Sequence, residues 1–374
     1  MAFRFSGEEI ARDVEDWVRC ESPTHEAAAV NRMLDLVIEA YRGCDVRVER
    51  IPGQGGFGDV LKVSGGRPTS AAPILLLSHV DTVHPLGTAA ADLTVRRDGD
   101  RLYGPGSYDM KGGVALATWA FRDVVRNSSA SRPVVYLYTP DEEVGSLTSR
   151  ALIEQEARTV CAALVTEPAR DGGRIVTARK GVGRFLVEVE GRPAHAGSRH
   201  QDGRSAIREA ARQILVVEAM TDYARGVTTT VGMMQGGTAM NVIPHKAWFR
   251  VDLRVTTVED GIMEEARILG LQPHDPDVAL RITGGMNRPP MEKTAEVAAL
   301  LAIAQETAAQ IGFALDDVPM VGGGSDGNFT AALGVPTLDG LGVDGDGAHT
   351  LHEHCLVSSL APRAELMSRL LERL

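Results

Sequence analysis

Pro73-Ile74-Leu75-Leu76-Leu77-Ser78 runs without a break into His79-Val80-Asp81. A second apolar run, Pro133-Val134-Val135-Tyr136-Leu137-Tyr138, ends in Thr139-Pro140-Asp141-Glu142-Glu143. Short continuous apolar runs are the signature of strands buried on both faces, as in parallel sheets. In open α/β sheets the ligand crevice lies beyond the carboxyl ends of such strands. An imidazole and carboxylates delivered there are suited to holding a divalent metal and activating water.

Outward from these runs, the spacing predicts strands at 74–78, 134–138 and 162–166, alternating with helices at 112–126 and 147–157. Helices are expected at 6–18, with Ser6 as N-cap and Glu9 at the capping-box position, and at 24–41. Residues 46–51 and 59–64 alternate like strands. The glycines between them, in Pro52-Gly53-Gln54-Gly55-Gly56-Phe57-Gly58, contain the letters of a dinucleotide fingerprint. That fingerprint requires a following helix; a strand pattern follows instead, so this segment reads as a loop.

The rhythm then changes to a strand at 183–190, a helix at 205–220, strands at 228–233 and 247–255, a helix at 258–270 and a strand at 278–283. This β-α-β-β-α-β order is the ferredoxin-like unit. An α/β pattern resumes with a helix at 294–312, a strand at 318–321, a helix at 326–333 and a strand at 336–341. The expected architecture is a mainly parallel, helix-flanked catalytic domain, residues 1–179 and 289–374, interrupted by an inserted ferredoxin-like lid or dimerisation domain at 180–288.

The chain has 374 residues, 44% of them apolar, which is ample for a large core. A formal charge of −11 leaves no basic stripe for nucleic acid. Cys20, Cys44, Cys161 and Cys355 are too sparse for a disulfide scaffold. No stretch approaches the roughly 20 apolar residues of a membrane span, and residues 1–16 lack a signal-peptide core. The expectation is a cytoplasmic protein without membrane partners.

His79 and Asp81, two apart at a strand end, share a face, so Asp81 is placed to fix the imidazole tautomer. Asp109 sits in the glycine-lined turn Gly104-Pro105-Gly106-Ser107-Tyr108-Asp109, before a helix. Adjacent Glu142 and Glu143 point in different directions, so one can bind metal while the other faces a water. Another strand delivers Glu167, and a Gly/Asp-rich loop leads to His349. Taken singly each has an ordinary explanation: a polar residue, a solvated loop, a helix cap. Their convergence on the carboxyl ends of strands expected to be parallel is what points to a site.

His79-Val80-Asp81, Gly104 to Gly113, Asp141-Glu142-Glu143, Thr166-Glu167-Pro168, Arg192-Pro193-Ala194-His195, Asn241-Val242-Ile243-Pro244, Gly322-Gly323-Gly324-Ser325-Asp326 and Gly347-Ala348-His349 follow one another in a familiar order. From about Ile74 to the C-terminus the chain resembles the co-catalytic zinc metallopeptidases that include glutamate carboxypeptidase, aminoacylase, acetylornithine deacetylase and succinyl-diaminopimelate desuccinylase. The glutamate carboxypeptidase branch is most similar.

The resemblance implies two zinc ions per chain, with cobalt or manganese as substitutes. Asp109 would bridge them, His79 and Glu167 completing one ligand set and Glu143 and His349 the other. It implies Glu142 as general base, Asp81 as the orienting carboxylate and His195 as oxyanion donor. Asn241 and Arg288 would hold the substrate's free carboxylate, Gly323 and Gly324 are further substrate-binding candidates, and Arg174 is a candidate for an acidic substrate side chain. His352 and His354 compete with His349; the four-residue spacing to Glu353 favours His349. Arg204-Ser205 stands where the family commonly has an asparagine in Gly-x-Asn-Ala, which leaves the local contacts of the inserted domain open.

The implied reaction is hydrolysis of an amide or peptide bond that releases a C-terminal amino acid, in a homodimer formed through the inserted domain. N-acyl-amino-acid deacylation is the alternative, with aminopeptidase action third. A scaffold protein with structural metal is the non-enzymatic rival; it needs ligands but no Glu142.

Overall fold

The computed structural model describes residues 3–374, which form two compact units. The first takes in residues up to Ala178, Lys293–Val321 and Ser325–Leu374; the second takes in Arg179–Glu292 and Gly322–Gly324.

The first unit is built on a six-stranded sheet in the order Arg47–Ile51, Val60–Gly66, Pro133–Thr139, Ile74–His79, Ala162–Val165, Thr337–Leu338. The first two junctions are antiparallel, and the remaining three parallel. The decisive run is the fourth strand. Its alternate side chains enter different cores: Ile74 and Leu76 pack with Val114, Phe121 and Tyr136, while Leu75 and Leu77 pack with Leu137, Ile153 and Phe329. All four are fully buried, which is why the sequence shows an unbroken apolar run instead of alternation.

Helix Gly7–Arg19 starts at Ser6, whose hydroxyl accepts from the Glu9 N–H. The 53–58 segment is a loop followed by strand Val60–Gly66, so the dinucleotide fingerprint lacks its helix.

A second, antiparallel sheet of four short strands runs Gly345–Asp346, His354–Leu356, Arg101–Tyr103, Arg96–Asp98. Its strands are two or three residues long, too short to show in the residue pattern. It ties the end of the His349 loop to the strand that enters the Asp109 turn, through pairing of His354 with Tyr103. The closing helix Val357–Arg373 was also unanticipated.

The second unit is a four-stranded antiparallel sheet in the order Thr228–Gly236, Lys246–Val255, Gly181–Glu190, Ala279–Arg288, with helices Ala206–Glu218 and Val258–Leu269. Its strand order, second, third, first, fourth, is the ferredoxin-like arrangement. Phe185, Val187, Phe249, Val251 and Ile268 lie in its separate core. Among the described residues no helix is long and apolar enough to cross a membrane.

Candidate metal centre

Three adjacent parallel strands end on one side of the main sheet and deliver the acids and imidazole. His79 is the last residue of its strand, Glu142 and Glu143 follow the Pro133–Thr139 strand in a single 3-10 turn, and Glu167 follows Ala162–Val165. Behind them the Ser78 hydroxyl bonds the hydroxyls of Tyr136 at 2.7 Å and Thr166 at 2.5 Å. This buried network fixes the strand ends against one another.

Asp109 lies at the centre. Its Oδ1 is 3.2 Å from His79 Nε2 and its Oδ2 is 3.5 Å from His349 Nε2. His79 Nε2 is also 3.7 Å from Glu167 Oε1, and His349 Nε2 is 3.0 Å from Glu143 Oε2. Two donor triads result, His79–Asp109–Glu167 and Asp109–Glu143–His349, each with its ligand atoms within 4.8 Å of one another. Glu142 belongs to neither.

The surrounding hydrogen bonds orient the donors. His79 Nδ1 lies 3.0 Å from the Asp81 carbonyl and 3.4 Å from its carboxylate, acceptors that keep a proton on Nδ1 and direct Nε2 at Asp109 as the ring nitrogen available for a metal. The fully buried Asp81 carboxylate also accepts from Thr24 Oγ1 at 2.7 Å and from the N–H groups of Glu142 and Glu143, both at 3.2 Å. One carboxylate thus sets the imidazole and the glutamate turn together.

Glu353, four residues after His349, has a part of its own in the structure. It is buried and accepts from the N–H groups of Gly106, Tyr108 and Asp109 at 2.9–3.0 Å and from His84 Nε2 at 2.8 Å. The signal for it was the glycine-rich turn itself, whose backbone donors require an acceptor once buried. The Asp109–Met110 peptide is cis. Gly113 sits where an added Cβ would lie 2.1 Å from the Thr166 carbonyl oxygen, so helix Gly112–Arg126 can approach the Glu167 strand only with glycine there.

The electrostatics suit a cation. Burial opposes charge on His79, but Asp109 and Asp81 hold its pKa well above the ordinary value. Hydrogen bonds to Asp109 and Glu143 push His349 up to about 11. Burial works to raise Asp109, yet His349 and His79 hold it below the usual carboxylate range. Burial raises Glu143, opposed by His349. Glu143 Oε1 is buried with no hydrogen-bond partner among the described residues. An orphaned carboxylate oxygen inside two nitrogen–oxygen triads fits divalent metal.

Of the three competing imidazoles, His349 joins the triads. His354 is turned away, its Nδ1 3.0 Å from the His352 carbonyl and its ring 5.1 Å from that of Tyr103, while His352 is exposed. His84 is bound to Glu353. Arg174 pairs with Asp171 at 2.9 Å in a turn and is not brought into either triad.

In the inserted unit, His195 pairs with Val242 in a bridge beside Asn241, whose carbonyl accepts from Ala196. His195 Nδ1 accepts from the N–H groups of Gly197 and Ser198 at 3.1 and 3.2 Å. The ring proton therefore resides on Nε2, which is left as a donor. Arg288 ends its strand and is buried; an added Cβ on Gly324 would lie 2.6 Å from its Cδ. The Gly323 carbonyl accepts from Arg179 Nη1 at 3.1 Å.

Carboxypeptidase G2 of Pseudomonas sp. (strain RS-16) is 26% identical over 373 residues, covering 97% of this chain and 88% of that protein. Succinyl-diaminopimelate desuccinylase of Dechloromonas aromatica (strain RCB) is 26% identical over 383 residues, with 96% of each covered. The crystal structure of aminopeptidase PepT from Bacillus cereus ATCC 10987 superposes with a TM-score of 0.78 at 23% identity, covering 98% of each chain, and shares the fold. The profile of peptidase family M20/M25/M40 matches residues 75–373, the span that holds every triad residue, and the chain belongs to that family.

Proposed function

We propose that this hydrolase of the M20 family is a dinuclear metal-dependent amidohydrolase that cleaves an amide or peptide bond to release a C-terminal amino acid, in the manner of a glutamate carboxypeptidase. The observation that carries the reading is the pair of donor triads sharing Asp109, with Glu142 next to a triad member and outside both. His79, Asp109 and Glu167 would hold one ion, and Asp109, Glu143 and His349 the other; zinc suits this nitrogen–oxygen set, with cobalt or manganese as substitutes. Two ions bound there would supply Lewis acidity to a water and to the scissile carbonyl.

The chain's own groups do the rest. Glu142 takes a proton from the attacking water and passes it to the departing amine. Asp81 keeps both His79 and the glutamate turn in place. His195 Nε2–H donates to the developing oxyanion, while Asn241 and Arg288 hold the substrate carboxylate, for which a guanidinium offers a bidentate fork, and Gly323 and Gly324 complete the substrate contacts. The working form is a homodimer through the inserted unit.

Metal analysis of loaded protein should give two ions per chain. Glu142→Gln should keep them and lose at least about a hundredfold in kcat. Near-normal turnover in that variant with metal retained would remove Glu142 as the base. His195→Ala should lower kcat by about 10²–10³ at unchanged metal content.

The second reading, N-acyl-amino-acid deacylation, is favoured by the near full-length similarity to a desuccinylase. A panel of folyl, N-acetyl, N-succinyl and dipeptide substrates separates the two.

A further inference from the structure

Next to the triads, the catalytic unit holds a cavity of about 410 Å³. Pro23, His25, Val83, Pro85, Leu86 and Val144 form much of its wall, and the triad residue Glu143 lines it as well. Val83 and Leu86 are 42% and 51% exposed, large apolar side chains left open to water. The ionisable groups in the lining are the carboxylates of Glu26 and Glu143 and the His25 imidazole, with no lysine or arginine.

The walls are braced. Thr24 N–H donates to the Thr82 carbonyl at 3.2 Å, and Thr82 N–H to the Ser22 carbonyl at 2.9 Å. The Glu21 carboxylate accepts from the N–H groups of Gly87 and Ala89, both at 2.8 Å, which holds the loop after Leu86. Thr24 Oγ1 donates to Asp81, the carboxylate that also sets His79 and the glutamate turn. The cavity is thus fixed in register with the metal-binding residues, as a specificity pocket must be.

We infer that this cavity receives the acyl portion of the substrate and selects an uncharged apolar or aromatic acyl group over a short or anionic one. The inference rests on the amide-hydrolysis reading above. An apolar group here covers Val83 and Leu86, whereas a second carboxylate would face Glu26 with no guanidinium or ammonium in the lining to offset it.

The test uses metal-loaded enzyme and three glutamate amides that differ only in the acyl group: phenylacetyl, acetyl and succinyl. The phenylacetyl compound should exceed acetyl in kcat/KM by at least about tenfold, the lower scale for apolar-pocket discrimination, with succinyl lowest. Leu86→Asp should abolish that preference, bringing the phenylacetyl kcat/KM down to the acetyl value of the same variant, and Leu86→Ala should reduce it in part. Leu86 is exposed, and thermal unfolding verifies that both variants keep the fold.

Calorimetry of phenylacetate, acetate and succinate on the same loaded protein reads the pocket without turnover. Leu86-dependent binding of phenylacetate with no amide cleaved would leave the pocket standing and remove the hydrolysis reading. Succinate or acetate compounds handled as well as their phenylacetyl counterparts in both measurements, or a preference untouched by Leu86→Asp, would overturn the assignment.

Discussion

At the scale of single residues, the site depends on two buried carboxylates that belong to neither triad. Asp81 sets an imidazole and a turn; Glu353 collects three backbone N–H groups of the Asp109 turn and the His84 ring. Outer partners of this type hold ligands in orientation, and their loss typically costs 10–100-fold in metal affinity. Glu353→Gln, which keeps the shape but replaces one acceptor with a donor, should weaken metal binding by about that factor, measured by competition with a chelator. Unchanged affinity would mean that Asp109 is positioned by its own turn. The imidazoles add a second expectation. With His349 pushed up to about 11 and His79 held well above its usual value, both rings carry a proton at neutral pH in metal-stripped protein. Ligation requires both to give it up, so loading at pH 7 should release about two protons per chain, and affinity should fall as pH drops. An indicator dye in weak buffer reads the release directly; no proton release would contradict the two-imidazole ligand set.

Among elements, legibility followed length. Helix Gly112–Arg126 has the bounds that its apolar spacing predicts, and the buried strands were marked by their unbroken apolar runs. The four-stranded accessory sheet was hidden because its strands are two or three residues long and include Arg96-Arg97-Asp98 and Gly345-Asp346, too short for a period-two signal. The helix predicted at 147–157 begins only at Arg150, after a loop held by the Asp141 carboxylate through Thr148 and Ser149. The last strand of the inserted unit, predicted to stop at 283, continues to Arg288 through Gly284 and Gly285, residues that depress any strand signal. The closing helix contains Pro362 and lacks a side-chain cap, which masks its start. His79, Glu143 and Glu167 were legible because each stands at or just beyond the end of a buried apolar strand, and Asp109 and His349 because each stands in a glycine-rich motif; Glu353 was not, because it acts through the backbone of another loop. Gly113 makes the packing testable. Gly113→Ala places a methyl against the Thr166 carbonyl, an overpacking that should cost about 1–3 kcal/mol in unfolding free energy and displace Glu167. Denaturant titration and metal analysis would read both, and a variant as stable as the parent would show that the helix can shift freely.

For the molecule as a whole, the inserted unit carries the feature most in need of a partner. Strand Thr228–Gly236 is the edge of its sheet, paired only with Lys246–Val255, and it presents Met233 and Met234 at 57% and 52% exposure. Leu215, on the helix that packs beside this strand, is 72% exposed. Open edges pair with other chains unless blunted by charge, proline or a covering element, and apolar side chains do the reverse of blunting. A second copy adding its own edge strand would extend the ladder and cover the methionines, which supports dimerisation through this unit. Replacing both with lysine, Met233→Lys and Met234→Lys, puts charge on the edge without touching the buried face. Surface changes of this type shift unfolding by only about 0.5 kcal/mol, so the fold should survive. Sedimentation at micromolar concentration should then show a dimer for the parent chain and a monomer for the double variant. A variant that still sediments as a dimer would move the interface elsewhere, and a monomeric parent would leave the edge strand without a partner of its own kind.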